Sequence, residues 1–116
     1  MTTPDEIQGA MLAASRELQR LVDAQPALVK TEADASRVCS LAEASAALAS
    51  SGTVLEREAH VSQACADVRY ALQMAKGLAA SNMVAIRAAM QRLNALQSIA
   101  SALREEMKFA RTGGGA

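Results

Sequence analysis

Residues 61–110, VSQACADVRYALQMAKGLAASNMVAIRAAMQRLNALQSIASALREEMKFA, decide the fold. One set of positions in this stretch alternates in steps of four and three: Val61, Cys65, Val68, Leu72, Ala75, Ala79, Asn82, Ile86, Ala89, Leu93, Leu96, Ala100, Leu103, Met107 and Ala110. Fourteen of the fifteen are apolar. A sustained 3.5-residue period belongs to a helix that needs a partner helix along its seam. The spacing therefore predicts a homo-oligomer joined through Leu72, Ala79, Asn82, Ile86, Leu93, Leu96, Leu103 and Met107. Asn82 is the polar exception. A buried Asn on such a seam fixes register, whereas an exposed one marks a helix break.

Two shorter helices are expected before this segment. Thr3-Pro4-Asp5-Glu6 supplies an N-cap hydroxyl, a proline at the first helical position and a Glu three residues after the cap. Ile7, Met11, Ala14, Leu18 and Leu21 follow at helical spacing. Gln25-Pro26 is expected to end this helix, because proline disfavours helical geometry in the residue before it. The predicted first helix is therefore 4–24. A second, 28–50, presents Ala35, Val38, Ala42, Ala46 and Ala49, and stops at Ser50-Ser51-Gly52.

Thr53-Val54-Leu55-Glu56 is a second capping box, so the third helix should run from 54 to 111 after a tight hairpin. Gly77 and Ser81-Asn82 make 77–82 the expected place for a kink or break. The glycine-rich end, 112–116, is expected to be a flexible tail.

Composition agrees. The 116 residues suit a single domain. Alanine is abundant and aromatics are 2%, with one Tyr and one Phe. Strands favour β-branched and aromatic side chains, so the fold class is all-α. Alanine buries little area per residue, which gives a thin core and favours assembly.

The formal net charge is zero but unevenly placed. Residues 1–68 carry ten acids and five bases, net −5, and residues 69–116 carry seven bases and two acids, net +5. This asymmetry suits a polyanionic partner or pairing of the two halves. With Val61 at heptad position d, Arg69, Lys76, Arg104 and Arg111 fall at e, Arg92 at g, and Arg87 and Lys108 at b. These seven bases are the candidate nucleic-acid-binding residues. With almost no aromatic platform for bases, such binding would be electrostatic and salt-dependent.

The residues that other chemistries need are missing. His60 is the single histidine, too few ligands for zinc and no basis for a catalytic triad. Cys39 and Cys65 fit no metal or redox spacing and are expected to be reduced core residues. No phosphate-binding glycine loop is present. The expectation is a protein that is not an enzyme and takes no cofactor. No 18-residue apolar run exists, so no membrane partner is expected. The N-terminus lacks a basic region followed by an apolar core, so no export signal is expected.

Two segments, Gly52-Thr-Val-Leu-Glu-Arg-Glu58 and Leu93-Asn-Ala-Leu-Gln-Ser-Ile-Ala-Ser-Ala-Leu-Arg-Glu-Glu-Met-Lys-Phe-Ala-Arg111, resemble a pattern in small helical proteins of tailed bacteriophages. There an Ala-rich helix enters a Gly-Thr-Val-x-x-Arg turn, and a last helix carries Leu-x-x-Leu-x-Ser followed by Leu-Arg-x-Glu. Gly52, Thr53 and Arg57 match the turn, and Ser98, Leu103, Arg104 and Glu106 match the helix. The resemblance implies an accessory role in phage DNA recombination or replication, in the host cytoplasm. Its partners would be other copies of the chain, single-stranded DNA, or a phage or host DNA-processing protein. The alternative expectation is an oligomeric adaptor, or an inhibitor of a host protein, with no nucleic-acid contact.

Overall fold

A computed structural model describes residues 3–112. It is all-α: α1 is Pro4–Ala49, α2 is Val54–Ala64 and α3 is Ala66–Thr112, with no strand among the described residues.

The first capping box forms as its sequence requires. The Glu6 N–H donates to Thr3 Oγ1 at 3.2 Å and the Thr3 N–H donates to Glu6 Oε2 at 3.1 Å, satisfying donors that the first turn leaves open. From there α1 is one helix of 46 residues with Pro26 inside it. The expected stop near Pro26 is thus corrected, and helices 4–24 and 28–50 are one element.

The reason lies in a heptad that spans the proline: Ile7, Met11, Ala14, Leu18, Leu21, Gln25, Leu28, Glu32, Ala35, Cys39, Ala42 and Ala46, every one buried or half-buried. Pro26 itself is exposed. Its missing N–H frees the Val22 carbonyl, and Val22 is also exposed, so water can solvate the orphaned group.

The turn after α1 follows the sequence closely. Ser50 Oγ donates to the Ala46 carbonyl at 2.6 Å, and Gly52 takes φ +104°, a backbone state that side chains rarely adopt. Thr53 then caps α2, its hydroxyl accepting from the Glu56 N–H at 3.2 Å.

The interruption expected at 77–82 is absent. Gly77, Ser81 and Asn82 are all helical. The chain bends earlier, at Cys65, where φ is −105° and ψ 8°, in the sparsely populated bridge region. The backbone ladder still crosses the bend: the Cys65 N–H donates to Val61 O and the Arg69 N–H to Cys65 O, both at 2.9 Å. Thr112 closes α3, and the rest of the expected tail, 113–116, lies outside the described residues.

Length alone predicts one domain; packing divides the chain into two compact units. One takes in the residues up to Asp23 together with those from Val84 on, and the other is Ala24–Met83. The 24–83 unit is a helical hairpin closed by the Gly52 turn. Its buried residues are small: Cys39, Ala46, Cys65, Ala75 and Ala79. In the other unit, the start of α1 lies antiparallel to the end of α3, over a core of Ile7, Ala14, Leu21 and Ile86. Each unit is only two helices thick, so each leaves large apolar side chains uncovered.

Candidate functional site

The seam predicted for an oligomer is occupied within the chain. Leu72, Ala79 and Asn82 in the 24–83 unit, and Ile86, Leu93, Leu96 and Leu103 in the other, are buried or half-buried with α1 as their packing partner. Met107 departs from this pattern at 50% exposed. Asn82 meets Gln25 of α1, its Nδ2 donating to Gln25 Oε1 at 2.7 Å. The polar seam residue thus has a polar seam partner, and the pair fixes the register of the hairpin. Since α1 supplies the partner helix, any contact with another molecule must use other faces.

The seven bases divide. Arg69 belongs to the fold: its Nε donates to Glu43 Oε1 at 3.2 Å and its Nη1 to Ser62 Oγ at 3.3 Å. Glu43 Oε1 also accepts from Cys39 Sγ at 3.2 Å. The Cys39 thiol bond and the Arg69 guanidinium together hold the Glu43 carboxyl below its usual range. The same bond and burial push the Cys39 thiol upward, away from thiolate reactivity.

The other six bases, Lys76, Arg87, Arg92, Arg104, Lys108 and Arg111, are exposed and form no ion pair among the described residues. Arg104 donates locally to Ser101 Oγ at 3.2 Å. Within α1 two acids are paired with neighbouring bases, Glu17 with Arg20 at 2.5 Å and Asp34 with Lys30 at 3.0 Å. Among the described residues, the acidic and basic halves pair through one bridge, Arg69–Glu43.

A feature that the sequence analysis overlooked lies beside the seam. Numbering α1 with Met11 as a, and α3 as above, puts Gln25 at a opposite Asn82 at d, and Glu43 at e opposite Arg69 at e, the relation expected for antiparallel helices. The two sides of the hairpin then differ. In the 24–83 unit the e side carries Glu43, Arg69 and Lys76. The opposite side, lined by positions c and g, carries Val38 and Leu41 of α1 and Met74 and Leu78 of α3, between 49% and 61% exposed, together with the exposed acids Asp34 and Asp67.

In the other unit the c and g positions of α3 are Ala85, Ala88, Arg92, Ala95, Ile99, Ala102, Glu106 and Phe109. Next to them is a shallow hollow of about 290 Å³ lined by Ala13, Glu17, Ala85, Ala88 and Arg92 among others. This second row repeats in steps of three and four, so the signal was present in the sequence. The stronger a and d row masked it.

His60 lies exposed on α2, and the described residues hold no group of three or more His, Cys, Asp or Glu that could bind a metal. No helix is long and apolar enough to cross a membrane. No protein family, curated protein or solved structure matches the chain.

Proposed function

We propose that this chain is a non-catalytic, self-associating helical interaction protein whose copies meet through the apolar side of the hairpin. The observation that carries this reading is the patch of Val38, Leu41, Met74 and Leu78, set on the side of the 24–83 unit opposite the Glu43–Arg69 bridge. Exposed apolar groups arranged as a face mark an interaction surface.

Magnitudes say how strong the association is. Each half-exposed side chain contributes on the order of 1 kcal/mol when covered. Two copies of the patch together supply on the order of 8 kcal/mol, against an association cost of about 4–15 kcal/mol. The patch therefore supports weak association by itself. Sedimentation over a concentration series tests the reading. The double variant L41E/L78E should weaken self-association while leaving the helical circular dichroism unchanged, because both side chains are already exposed. A wild-type protein that stays monomeric at 100-fold above assay concentrations would overturn the proposal.

A second reading is favoured by the six exposed bases of α3: electrostatic contact with DNA beside recombination or replication machinery. The likeness of residues 52–58 and 93–111 to phage helical proteins points the same way. Its test is a titration of single- and double-stranded DNA across a salt series, whose slope counts the phosphates engaged. The triple variant K76E/R104E/K108E avoids Arg69, which the fold uses, and should abolish binding. Equal binding by this folded variant would remove DNA from the account.

A further inference from the structure

We infer that the face of α3 from Ala85 to Phe109 pairs antiparallel with the same face of a second copy, about a twofold axis at Ile99. The inference rests on the self-association proposed above and adds a second contact face to it, separate from the Val38, Leu41, Met74 and Leu78 patch. The face belongs wholly to the unit formed by the two chain ends.

The argument is one of self-complementarity. Arg92 lies seven residues before Ile99 and Glu106 seven after, each two turns away, at about 10 Å. An antiparallel twofold at Ile99 therefore sets each Arg92 against Glu106 of the second copy, twice per dimer. Both side chains are exposed and form no ion pair among the described residues. A parallel pairing of the same faces would instead place Arg92 on Arg92 and Glu106 on Glu106, a like-charge arrangement that selects against it.

The apolar residues fit the same register to within one residue. Ala95, four residues before Ile99, and Ala102, three after it, come side by side and let the helices approach closely. Phe109, 71% exposed, falls over Ala88 and Ala89, which with Ala13 and Ala85 line the 290 Å³ hollow. The hollow has room for an aromatic ring because most of its walls are alanines, with Leu21, Glu17 and Arg92 completing them. Glu17, on its rim, is tied to Arg20, which leaves Arg92 to the second copy. A large exposed knob and a hollow lined mostly by small residues, within one residue of equal distance from Ile99, are what an isologous contact requires.

Charge exchange tests this geometry. Sedimentation should show R92E and E106R each weakening self-association at least tenfold, about 1.4 kcal/mol per tenfold step. The double variant R92E/E106R should return to within about threefold of wild type, a change of roughly 0.7 kcal/mol on the same scale. An equimolar mixture of R92E and E106R should form mixed dimers, because each variant then faces opposite charges on the other. F109A should weaken association at least tenfold with no loss of helicity. Single exchanges that match wild type, or a double variant no tighter than the singles, would overturn this register while leaving self-association standing. A wild-type protein that is monomeric would remove both.

Discussion

Pro26 and Cys65 pose opposite puzzles. Proline is the strongest helix breaker, yet α1 runs through Pro26 without interruption. Cysteine is an ordinary residue, yet the helix that follows the hairpin turn bends there. The difference is what each residue faces. Pro26 points outward, and the seam on either side of it, buried Leu21 and half-buried Leu28, continues without a slip. A proline in a helix interior costs about 3 kcal/mol, and burying a leucine returns about 1.5–3 kcal/mol, so two seam residues outweigh one proline. Cys65 points inward and is the most deeply buried residue, 1% exposed. The bend keeps the flanking hydrogen bonds at 2.9 Å and so costs little ladder energy. Its α2 side has no fully buried residue and is held only by half-buried Val61 and the Ser62–Arg69 hydrogen bond, so little keeps the helix straight there. Seam burial, more than local propensity, sets where these helices run and where they bend.

The comparison breaks first at Leu21. If the seam holds α1 through Pro26, Leu21→Ala should destabilise the protein by about 3 kcal/mol and should raise amide exchange locally around Pro26. Urea unfolding together with hydrogen exchange reads both. Loss of stability without local opening would mean that α1 does not depend on the seam at this point.

Replacing the proline comes next. Pro26→Ala restores an N–H to the ladder on an exposed face. Proline also stiffens the unfolded chain, an opposing effect of about 0.4–1 kcal/mol. The net expectation is a gain of about 2 kcal/mol, seen as a higher urea midpoint at unchanged slope. No gain would show that water already satisfies the Val22 carbonyl completely.

Much of this architecture was legible in the sequence, for reasons that particular residues make clear. The capping box at Thr3, the Thr53 N-cap and the glycine stop at Gly52 are local chemistry: both bonds form at Thr3, the hydroxyl bond forms at Thr53, and Gly52 takes the positive φ. The α3 seam was legible because its leucines are large and regular. The α1 heptad was not. It runs through Gln25, Glu32 and several alanines, so it reads as polar in the middle, and Pro26 punctuates it at that point. The partner of the seam was also hidden, since periodicity shows that a helix needs a partner but not whether the partner is in the same chain. At the candidate surface, the sequence set out the basic residues but could not separate Arg69, tied to Glu43, from the six that stay exposed. The bend at Cys65 has no sequence signal, because it follows from packing between residues far apart in the chain.

The buried cysteine sharpens the comparison from the other side. Cys65→Leu forces a larger side chain into a filled site at the bend. Overpacking costs about 1–3 kcal/mol, and the lower half of that range, about 1–2 kcal/mol, is expected because α2 has no fully buried residue and can shift. The kink should open and helicity should stay constant. A Leu accommodated at no cost would show that the bend is loosely packed and is not set by burial.

The smallest effect follows from the one bridge that joins the α1 and α3 sides of the 24–83 unit. Glu43 is held below the usual carboxylate value of 4.5 by the Cys39 Sγ–H bond and by Arg69. A carboxyl with a lowered folded pKa binds its proton more readily when unfolded, so its contribution is fully present above 4.5 and is lost as pH falls through the folded value. Cys39 runs the other way. Its thiol is raised above 9.0 by the Glu43 bond and by burial, so its contribution is present below 9.0 and is lost as pH rises through the folded value. One hydrogen bond therefore shapes both ends of the stability curve. Glu43→Gln should flatten the acid limb, because the neutral amide has no proton to gain, and should soften the alkaline limb, because the thiolate no longer meets a carboxylate. Thermal midpoints of the two proteins from pH 2.5 to 10 would separate the cases. An acid limb unchanged in E43Q would move the titration to Glu17, held low by Arg20, and would show that the bridge positions Arg69 without contributing to stability.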